Sequence, residues 1–214
     1  MNMDQQIFKT IIISLICICS MSVKNVQAQQ RFRVVNRALD INKATGVVHL
    51  NEEDSVGIAW ISGLQLTTGK IEFDVRGVDK YQGSFVGLAF HGLNDSTYEC
   101  IYFRPFNFRA TDSLRRSHAI QYISKPAYDW PTLRERFPGK YERSIPDNVD
   151  PNGWFHVSIR VLRQSVSVYI NGSRSAVFQI SPLSHTGGKM VGYWVGHGSG
   201  GYWKNLKVTP TVQK

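Results

Sequence analysis

The chain has 214 residues, of which 42% are hydrophobic, 12% aromatic and 19% charged, and its net charge is +9. This composition excludes a disordered polyelectrolyte, and the length fits one globular domain, since all-β sandwiches often reach this size undivided. A positive excess this large favours an acidic partner, such as an anionic glycan, a membrane surface or nucleic acid.

The first 28 residues have the pattern of an export signal. A positive start precedes an apolar run over residues 10–23, and the sequence Val-Gln-Ala at 26–28 offers a cleavage site. The run is shorter than the ~20 residues that a membrane-spanning helix needs. We therefore predict a signal peptide at 1–28, one domain at 29–214 without a membrane span, and a secreted or periplasmic location. A retained signal anchor is the alternative, and export makes nucleic acid the weakest candidate partner.

Cysteine usage changes with this cleavage. Cys17 and Cys19 leave with the predicted signal, so Cys100 remains alone and cannot form an internal disulfide. Because Cys100 lies in the apolar sequence TYECIYF, we expect a buried, unreactive thiol.

Alternation of apolar and polar residues is the dominant pattern of the mature chain. Ile71, Phe73 and Val75 face one side of residues 70–76 and charged residues face the other, as in a half-buried strand. Asn171-Gly172 is a strong tight-turn pair, because both residues tolerate positive φ. About a dozen strands separated by turns predict an all-β domain, a two-sheet antiparallel sandwich rather than βαβ units. The predicted strands are residues 32–36, 47–50, 56–61, 70–76, 84–91, 98–104, 119–124, 155–161, 166–170, 176–180, 190–196 and 203–209.

Two stretches, 105–117 and 124–153, break this alternation. The second is far longer than a routine connection, and loops of that length in compact domains are usually functional or disordered. Its aromatic residues need a surface to pack on, which favours a functional loop. Asp129 is expected to cap a short helix that has Pro131 in its first turn and runs to about Phe137.

The span 104–143 combines positive charge with aromatic rings. It holds nine Lys and Arg against four Asp and Glu. Aromatic faces stack on sugar rings, and Arg and Asn side chains orient hydroxyl or carboxylate groups. We therefore predict a carbohydrate site here, with a solvated basic rim as the alternative. The predicted ligand-binding residues are His91, Arg104, Asn107, Gln121, Tyr122, Trp130, Arg134 and Tyr141, with Trp194 and His197 at a Gly-rich turn.

Glu99 and Glu142 are the candidate catalytic residues. Each lies among aromatic and Arg residues, where the pKa of a carboxyl group is open to displacement. Glu72 and Asp74 share a strand face with two basic residues, so a cross-paired solvent face is favoured there over an acid–base pair.

No cofactor is predicted. Asp147, Asn148, Asp150 and Asn152 offer hard oxygen ligands, which makes Ca²⁺ an alternative, but the set lacks the spacing and terminal Glu of a known calcium loop. An Asx-rich turn is favoured. The glycines at 196–201 precede a predicted strand rather than the helix N-terminus that a dinucleotide site needs.

Four segments carry a resemblance to a known superfamily: GKIEFDVRG, SFVGLAFHG followed by YECIYFRP, the WFHVSIRV and VSVYING hairpin, and GYWVGHGSGGYWKNLKV. Over residues 63–208 their order resembles that of the concanavalin A-like lectin/glucanase superfamily, and within it the laminin-G-like and DUF1080 (3-keto-disaccharide hydrolase-like) domains of exported bacterial proteins. The resemblance implies a jelly-roll sandwich of two curved antiparallel sheets with long loops, and a ligand on the concave face or its rim.

The chain departs from these relatives at two motifs. The Glu-x-Asp-x-x-Glu motif of family 16 glucanases is absent, since Gly77 stands where the second Glu belongs. Tyr98-Glu99 only partly matches the Gly-Tyr-Glu-x-Gln segment of DUF1080 domains.

These features predict an exported, lectin-like carbohydrate-binding protein, and its charge favours acidic or polysaccharide-derived glycans. A glycoside hydrolase that uses Glu99 or Glu142 is the alternative, and a structural or adhesive envelope domain is a further one. The oligomeric state does not follow from the sequence.

Overall fold

The structure, a computed structural model, describes residues 31–183 and 187–211. Its strands form two antiparallel seven-stranded sheets, which confirms the predicted all-β, two-sheet jelly-roll sandwich. The predicted signal peptide lies outside the described residues. No helix within the described ranges is long and apolar enough to cross a membrane.

The strands follow one another along the chain with few interruptions. In order they are β1 (Phe32–Val35), β2 (Leu39–Asn42), β3 (Val47–Leu50), β4 (Gly57–Gln65), β5 (Gly69–Arg76), β6 (Val86–Gly92), β7 (Tyr98–Phe103), β8 (Ile120–Lys125), β9 (Glu142–Arg143), β10 (Phe155–Val161), β11 (Val166–Ile170), β12 (Phe178–Ile180), β13 (Met190–Val195) and β14 (Gly201–Pro210). Between β7 and β9 lie a 3₁₀ turn (Pro105–Asn107) and the helices α1 (Ser113–Ser117) and α2 (Trp130–Arg136). The first sheet has the order β1-β4-β13-β6-β7-β8-β9, and the second has the order β12-β11-β10-β5-β14-β3-β2.

The two sheets bury their facing side chains. Ile71, Phe73 and Val75 on β5 are each 0% exposed, as the alternation in this segment predicts. Burying a side chain of this size contributes about 1.5–3 kcal/mol. Cys100 is also enclosed, which confirms the prediction of a buried thiol, and burial raises its pKa.

Aromatic contacts between the sheets identify the inner face of each strand. The ring centroids of Phe103 on β7 and Phe155 on β10 are 5.1 Å apart. Those of Tyr193 on β13 and Trp203 on β14 are 5.0 Å apart. Because side chains alternate along a strand, Tyr102 and Trp194 lie on the opposite, outer face of the first sheet.

Two local predictions are confirmed. Asn171 and Gly172 follow β11 with φ angles of 48° and 71°, the left-handed region that such a turn requires. Helix α2 begins after Asp129, whose Oδ1 accepts a hydrogen bond of 2.8 Å from the backbone N–H of Trp130. The elements β2, β9 and α1 were not predicted from the sequence.

Candidate functional site

A cavity of about 420 Å³ opens beside the outer face of the first sheet, where Phe85 and Arg104 contact the ring of Tyr102. Four segments form it: the β5–β6 connection, the stretch from 104 to 118, helix α2 and the β13–β14 loop. Of the ten predicted ligand-binding residues it brings together five, namely Arg104, Asn107, Trp130, Arg134 and His197. The remaining lining residues are Tyr81, Gln82, Phe85, Phe106, Arg115 and His118.

Arg104 is buried at the floor of this cavity, 5% exposed, directly after β7. Its Nη1 donates to the carbonyl oxygen of His118 at 2.8 Å. Its Nη2 donates to the hydroxyl oxygen of Tyr102 at 2.8 Å and to Oε1 of Gln121 at 3.3 Å. None of these three acceptors is charged. Burial lowers the pKa of the guanidinium, but an arginine stays protonated in a protein, so a buried cation is held by neutral groups.

Three buried polar atoms on residues that line the cavity have no hydrogen-bond partner among the described residues, namely Oδ1 of Asn107, Nε of Arg115 and Nδ1 of His118. Asn107 is 4% exposed, and its Oδ1 accepts no hydrogen bond. The Nε of Arg115 is also buried without an acceptor, although its Nη2 donates to the carbonyl oxygen of Phe106 at 3.2 Å. A buried polar group without a partner costs about 1–3 kcal/mol. Nδ1 of His118 lies beside Glu142, so Oδ1 of Asn107 and Nε of Arg115 are the two of these atoms whose hydrogen-bonding capacity is unused.

Aromatic rings form the rim of the cavity. Trp130 is 43% exposed and Tyr81 is 63% exposed. The guanidinium of Arg134 lies 5.0 Å from the centroid of Trp130, and that of Arg115 lies 4.6 Å from the centroid of Tyr81. A cation over an aromatic face attracts it and holds the ring in place. Part of each ring therefore stays exposed to solvent, where a ligand can cover it.

Glu142 lies behind the cavity, 5% exposed, and neutralises Arg134. Its Oε2 is 2.7 Å from Nη2 of Arg134 and 2.7 Å from Nδ1 of His118. The second contact is short but is not aligned as a hydrogen bond. Burial lowers the pKa of His118, the cations of Arg134 and Arg104 lower it further, and Glu142 opposes them. His118 is therefore mainly neutral at pH 7.

Four predicted ligand residues are enclosed and do not line the cavity. Gln121 is 1% exposed, and its Nε2 donates to the carbonyl oxygens of Tyr122 and Tyr141, each at 3.0 Å. Trp194 is 4% exposed and donates through Nε1 to the hydroxyl oxygen of Tyr98 at 3.2 Å. Tyr122 and Tyr141 are 0% and 2% exposed. The stacking on sugar expected of these two tyrosines is therefore corrected, because neither ring has a free face.

His91, Glu99 and Tyr122 form a separate buried network. The Tyr122 hydroxyl donates to Oε2 of Glu99 at 2.6 Å, and Nδ1 of His91 lies 2.9 Å from Oε1. The other ring nitrogen of His91 lies 2.8 Å from the carbonyl oxygen of Thr67. Nε2 faces a carbonyl oxygen, which only accepts, and Nδ1 faces the Glu99 carboxylate, so a ring that carries both protons satisfies both contacts. Burial opposes this charge, but the hydrogen bond and charge of Glu99, with the Thr67 carbonyl, raise the pKa of His91.

The two predicted catalytic residues lie on opposite faces of the first sheet. Glu142 pairs with Gln121, which pairs with Tyr102, so Glu142 lies on the outer face. Glu99 is three residues before Tyr102, and this odd offset puts it on the inner face. Separated by the sheet, they cannot flank one glycosidic bond as the two carboxylates of a glycosidase do. Within the described ranges no carboxylate lines the cavity.

The Asx-rich segment at 147–152 forms a turn. Oδ1 of Asp150 accepts from the backbone N–H of Asn152 at 3.0 Å, and Oδ1 of Asn152 accepts from that of Asp79 at 2.8 Å. These two side-chain oxygens therefore already accept hydrogen bonds from backbone amides. In the part of the chain that the structure describes, no group of three or more His, Cys, Asp or Glu side chains is arranged to hold a metal.

Some lining residues escaped the sequence analysis. Tyr81 and Gln82 lie in a turn between two predicted strands. An aromatic residue in such a turn has no core to bury it, and this feature could have indicated a binding role for Tyr81. The sequence around His118 gave no such indication, because its position in the site depends on a contact with Glu142, which is far from it in the sequence.

Comparison with known proteins gives the fold. No family model and no curated protein matches the chain, but solved structures do. The carbohydrate-binding module CBM66 from Bacillus subtilis superposes with a TM-score of 0.60 at 11% identity, covering 83% of this chain and 94% of that one. The VIP36 exoplasmic/lumenal domain, in its Ca²⁺/Man3GlcNAc-bound form, gives 0.55 at 14% identity and covers 86% and 85%. A provisionally assigned glycosyl hydrolase from Parabacteroides distasonis gives 0.52 at 12% identity and covers 85% and 100%.

The chain therefore has the β-sandwich fold of the concanavalin A-like lectins and glucanases. Proteins with this fold include a carbohydrate-binding module, a domain with bound Man3GlcNAc and a provisionally assigned glycosyl hydrolase. The finer resemblance to DUF1080 domains stays a prediction.

Proposed function

We propose that this protein is an exported, lectin-like protein that binds a saccharide in the cavity described above. The observation that carries the proposal is the union of exposed rings, Trp130 and Tyr81, with the buried and unpartnered Oδ1 of Asn107. Rings cover the apolar faces of a sugar, and buried polar atoms select its hydroxyl groups. A volume of about 420 Å³ lies within the range of small-molecule sites.

Structures that share the fold support a saccharide ligand. CBM66 is a carbohydrate-binding module, and the VIP36 structure contains Man3GlcNAc. The low identity limits this support to the fold, so the case rests on the cavity itself.

Binding without hydrolysis is favoured by the position of the carboxylates. Glu142 is the candidate acid nearest the cavity, and two cationic or basic groups, Arg134 and His118, already occupy its oxygens. Glu99 lies inside the sandwich with no exposed surface. A purely structural envelope domain is disfavoured because it gives no reason for leaving Asn107 without a partner in a preformed hollow.

A glycan array followed by calorimetric titration tests the proposal. The protein is screened against neutral, uronic acid and sulfated saccharides, and Trp130→Ala is expected to weaken binding of the best ligand about ten-fold or more. Leu162→Ala is the matched control, since Leu162 is 41% exposed, close to the 43% of Trp130, and lies after β10 outside the cavity. If no saccharide of any class binds, or if both variants weaken binding equally, the proposal is wrong.

A further inference from the structure

We propose that the saccharide is acidic, and that its carboxylate or sulfate group binds between the guanidinium groups of Arg104 and Arg115. This inference rests on the proposed function and specifies its ligand. Both side chains line the same cavity, which has no carboxylate in its described wall. An anion binds where the nearby cations are not already neutralised by acidic side chains.

Arg104 has unused capacity for an anion. Its acceptors are a carbonyl, a hydroxyl and an amide oxygen, so three of its N–H groups are bound to neutral groups. A guanidinium has five N–H groups, which leaves two for a ligand. Because the side chain is 5% exposed, water screens its charge poorly, and an anion in the cavity interacts with it strongly.

Arg115 supplies the second cation. Its Nε is buried without an acceptor, and only Nη2 is engaged, by the carbonyl oxygen of Phe106. Tyr81 packs against its guanidinium at 4.6 Å and fixes the plane of the group. Two guanidinium groups on one wall match the several acceptor oxygens of a carboxylate or a sulfate ester.

Two other basic side chains near the cavity, Arg134 and Lys125, already have acidic partners. Arg134 binds Glu142 at 2.7 Å, and Lys125 binds Asp129 at 2.8 Å. Their charge is therefore balanced before any ligand arrives. Among the arginines that line the cavity, Arg104 and Arg115 are the two that form no ion pair with an acidic residue in the described part of the chain.

Asn107 orients the sugar relative to this subsite. Its backbone N–H donates to the carbonyl oxygen of Arg104 at 2.9 Å, so the two residues are fixed one turn apart. The unpartnered Oδ1 of Asn107 accepts hydrogen bonds only. A sugar hydroxyl therefore binds at Asn107, while the acidic group of the same sugar binds at the two arginines.

Calorimetric titration with matched saccharides tests this inference. Oligogalacturonate is compared with oligogalactose of the same length and linkage, and galactose 6-sulfate with galactose, at low and high salt. We expect the acidic member of at least one pair to bind about ten-fold or more tightly. The two pairs distinguish a carboxylate from a sulfate as the anionic group. The advantage should shrink as salt increases.

Variants locate the subsite. Arg115→Gln is expected to weaken binding of the acidic saccharide about ten-fold more than binding of its neutral partner. Arg115→Lys should retain part of the preference for the acidic saccharide. Arg136→Gln is the control, because it removes the same charge from an exposed position on α2 that does not line the cavity. Circular dichroism and thermal unfolding confirm that each variant is folded.

Each outcome has a separate meaning. Equal binding of acidic and neutral partners by the wild-type protein overturns the acidic subsite and leaves the proposed function standing. An equal loss of preference in Arg115→Gln and Arg136→Gln also overturns it, because the effect is then one of overall charge. Failure of every saccharide to bind refutes the proposed function itself.

Discussion

The Nη2 of Arg104 donates a hydrogen bond of 2.8 Å to the hydroxyl oxygen of Tyr102, and both side chains are buried. The guanidinium carbon also lies 4.9 Å from the ring centroid of Tyr102. Tyr102 thus fixes the direction of the cation without balancing its charge. Burying a cation that has no hydrogen-bonded counter-charge destabilises the free protein, although Glu142 acts on Arg104 from a distance, and an anionic ligand reduces that cost.

Removing the Tyr102 hydroxyl should therefore destabilise the protein measurably. Hydrogen bonds to charged groups contribute about 1.5–3 kcal/mol, against about 1 kcal/mol for neutral ones. We expect Tyr102→Phe to lower the free energy of unfolding, measured in urea, by about 1.5–3 kcal/mol, the value for a hydrogen bond to a charged group. Tyr98→Phe is the control, since the Tyr98 hydroxyl accepts from the neutral Nε1 of Trp194 at 3.2 Å. Equal losses in the two variants would show that the charge of Arg104 has no part in the effect.

Much of the fold could be predicted from local chemistry. The alternation of Ile71, Phe73 and Val75 identifies a strand and its buried face, and Asn171-Gly172 identifies a turn, because both signals lie within a few residues. The cap at Asp129 is local in the same sense. The short strand β9 shows no such signal, since two residues form a strand only because β8 is there to pair with them.

The candidate site was only half predictable, because burial depends on distant parts of the chain. Arg104, Asn107 and Trp130 were found from charge and aromatic content in one segment. Tyr122 and Tyr141 have the same composition around them, yet both are enclosed. Sequence composition does not distinguish a ring that faces a cavity from one that packs behind it.

The buried pair of His91 and Glu99 predicts a pH dependence of stability. The raised pKa of His91 means that the folded state binds a proton more tightly than the unfolded state, whose histidine titrates near 6.5. The stabilisation is therefore complete below about pH 6 and is lost as the pH rises from 6.5 through the folded value. Urea unfolding measured from pH 5.5 to 8.5 should show this decline.

Glu99→Gln tests the same pair. The substitution leaves a buried imidazolium without its counter-charge, and we expect a loss of about 3 kcal/mol or more at pH 6. The decline of stability with rising pH that comes from His91 should be absent in the variant, because burial alone lowers the pKa of His91. His156→Gln is a suitable control, because His156 pairs with Asp74 on the more exposed outer face of the second sheet. An unchanged pH profile in Glu99→Gln would contradict the assignment.

Glu142→Gln separates binding from hydrolysis. If the cavity only binds, the wild-type protein releases no reducing sugar from its best ligand, and the variant merely weakens binding by loosening Arg134. Glu142 also raises the pKa of His118 against the stronger effect of burial. The imidazole signals of His118 in an NMR titration should therefore shift at a pH below 6.5 in the wild-type protein and lower still in the variant. Turnover by the wild-type protein that Glu142→Gln abolishes would instead establish a hydrolase.

Two glycines should respond to the same substitution for different reasons. Gly172 has φ of 71° with open space around the position of a β-carbon, so Gly172→Ala costs only the strain of a left-handed alanine, about 1 kcal/mol. Gly87 lies in the middle of the first sheet, where an added β-carbon would meet the carbonyl oxygen of Ile101 and lie 2.6 Å from the Cα of Tyr102. Backbone atoms of a paired strand cannot move aside without breaking the pairing, so Gly87→Ala should cost about 3 kcal/mol or more.

Because Tyr102 positions Arg104, Gly87→Ala should also weaken saccharide binding while Gly172→Ala leaves it unchanged. Denaturant unfolding and calorimetry of the two variants check both expectations, and similar losses of stability would show that the sheet at Gly87 is less closely paired than the structure indicates.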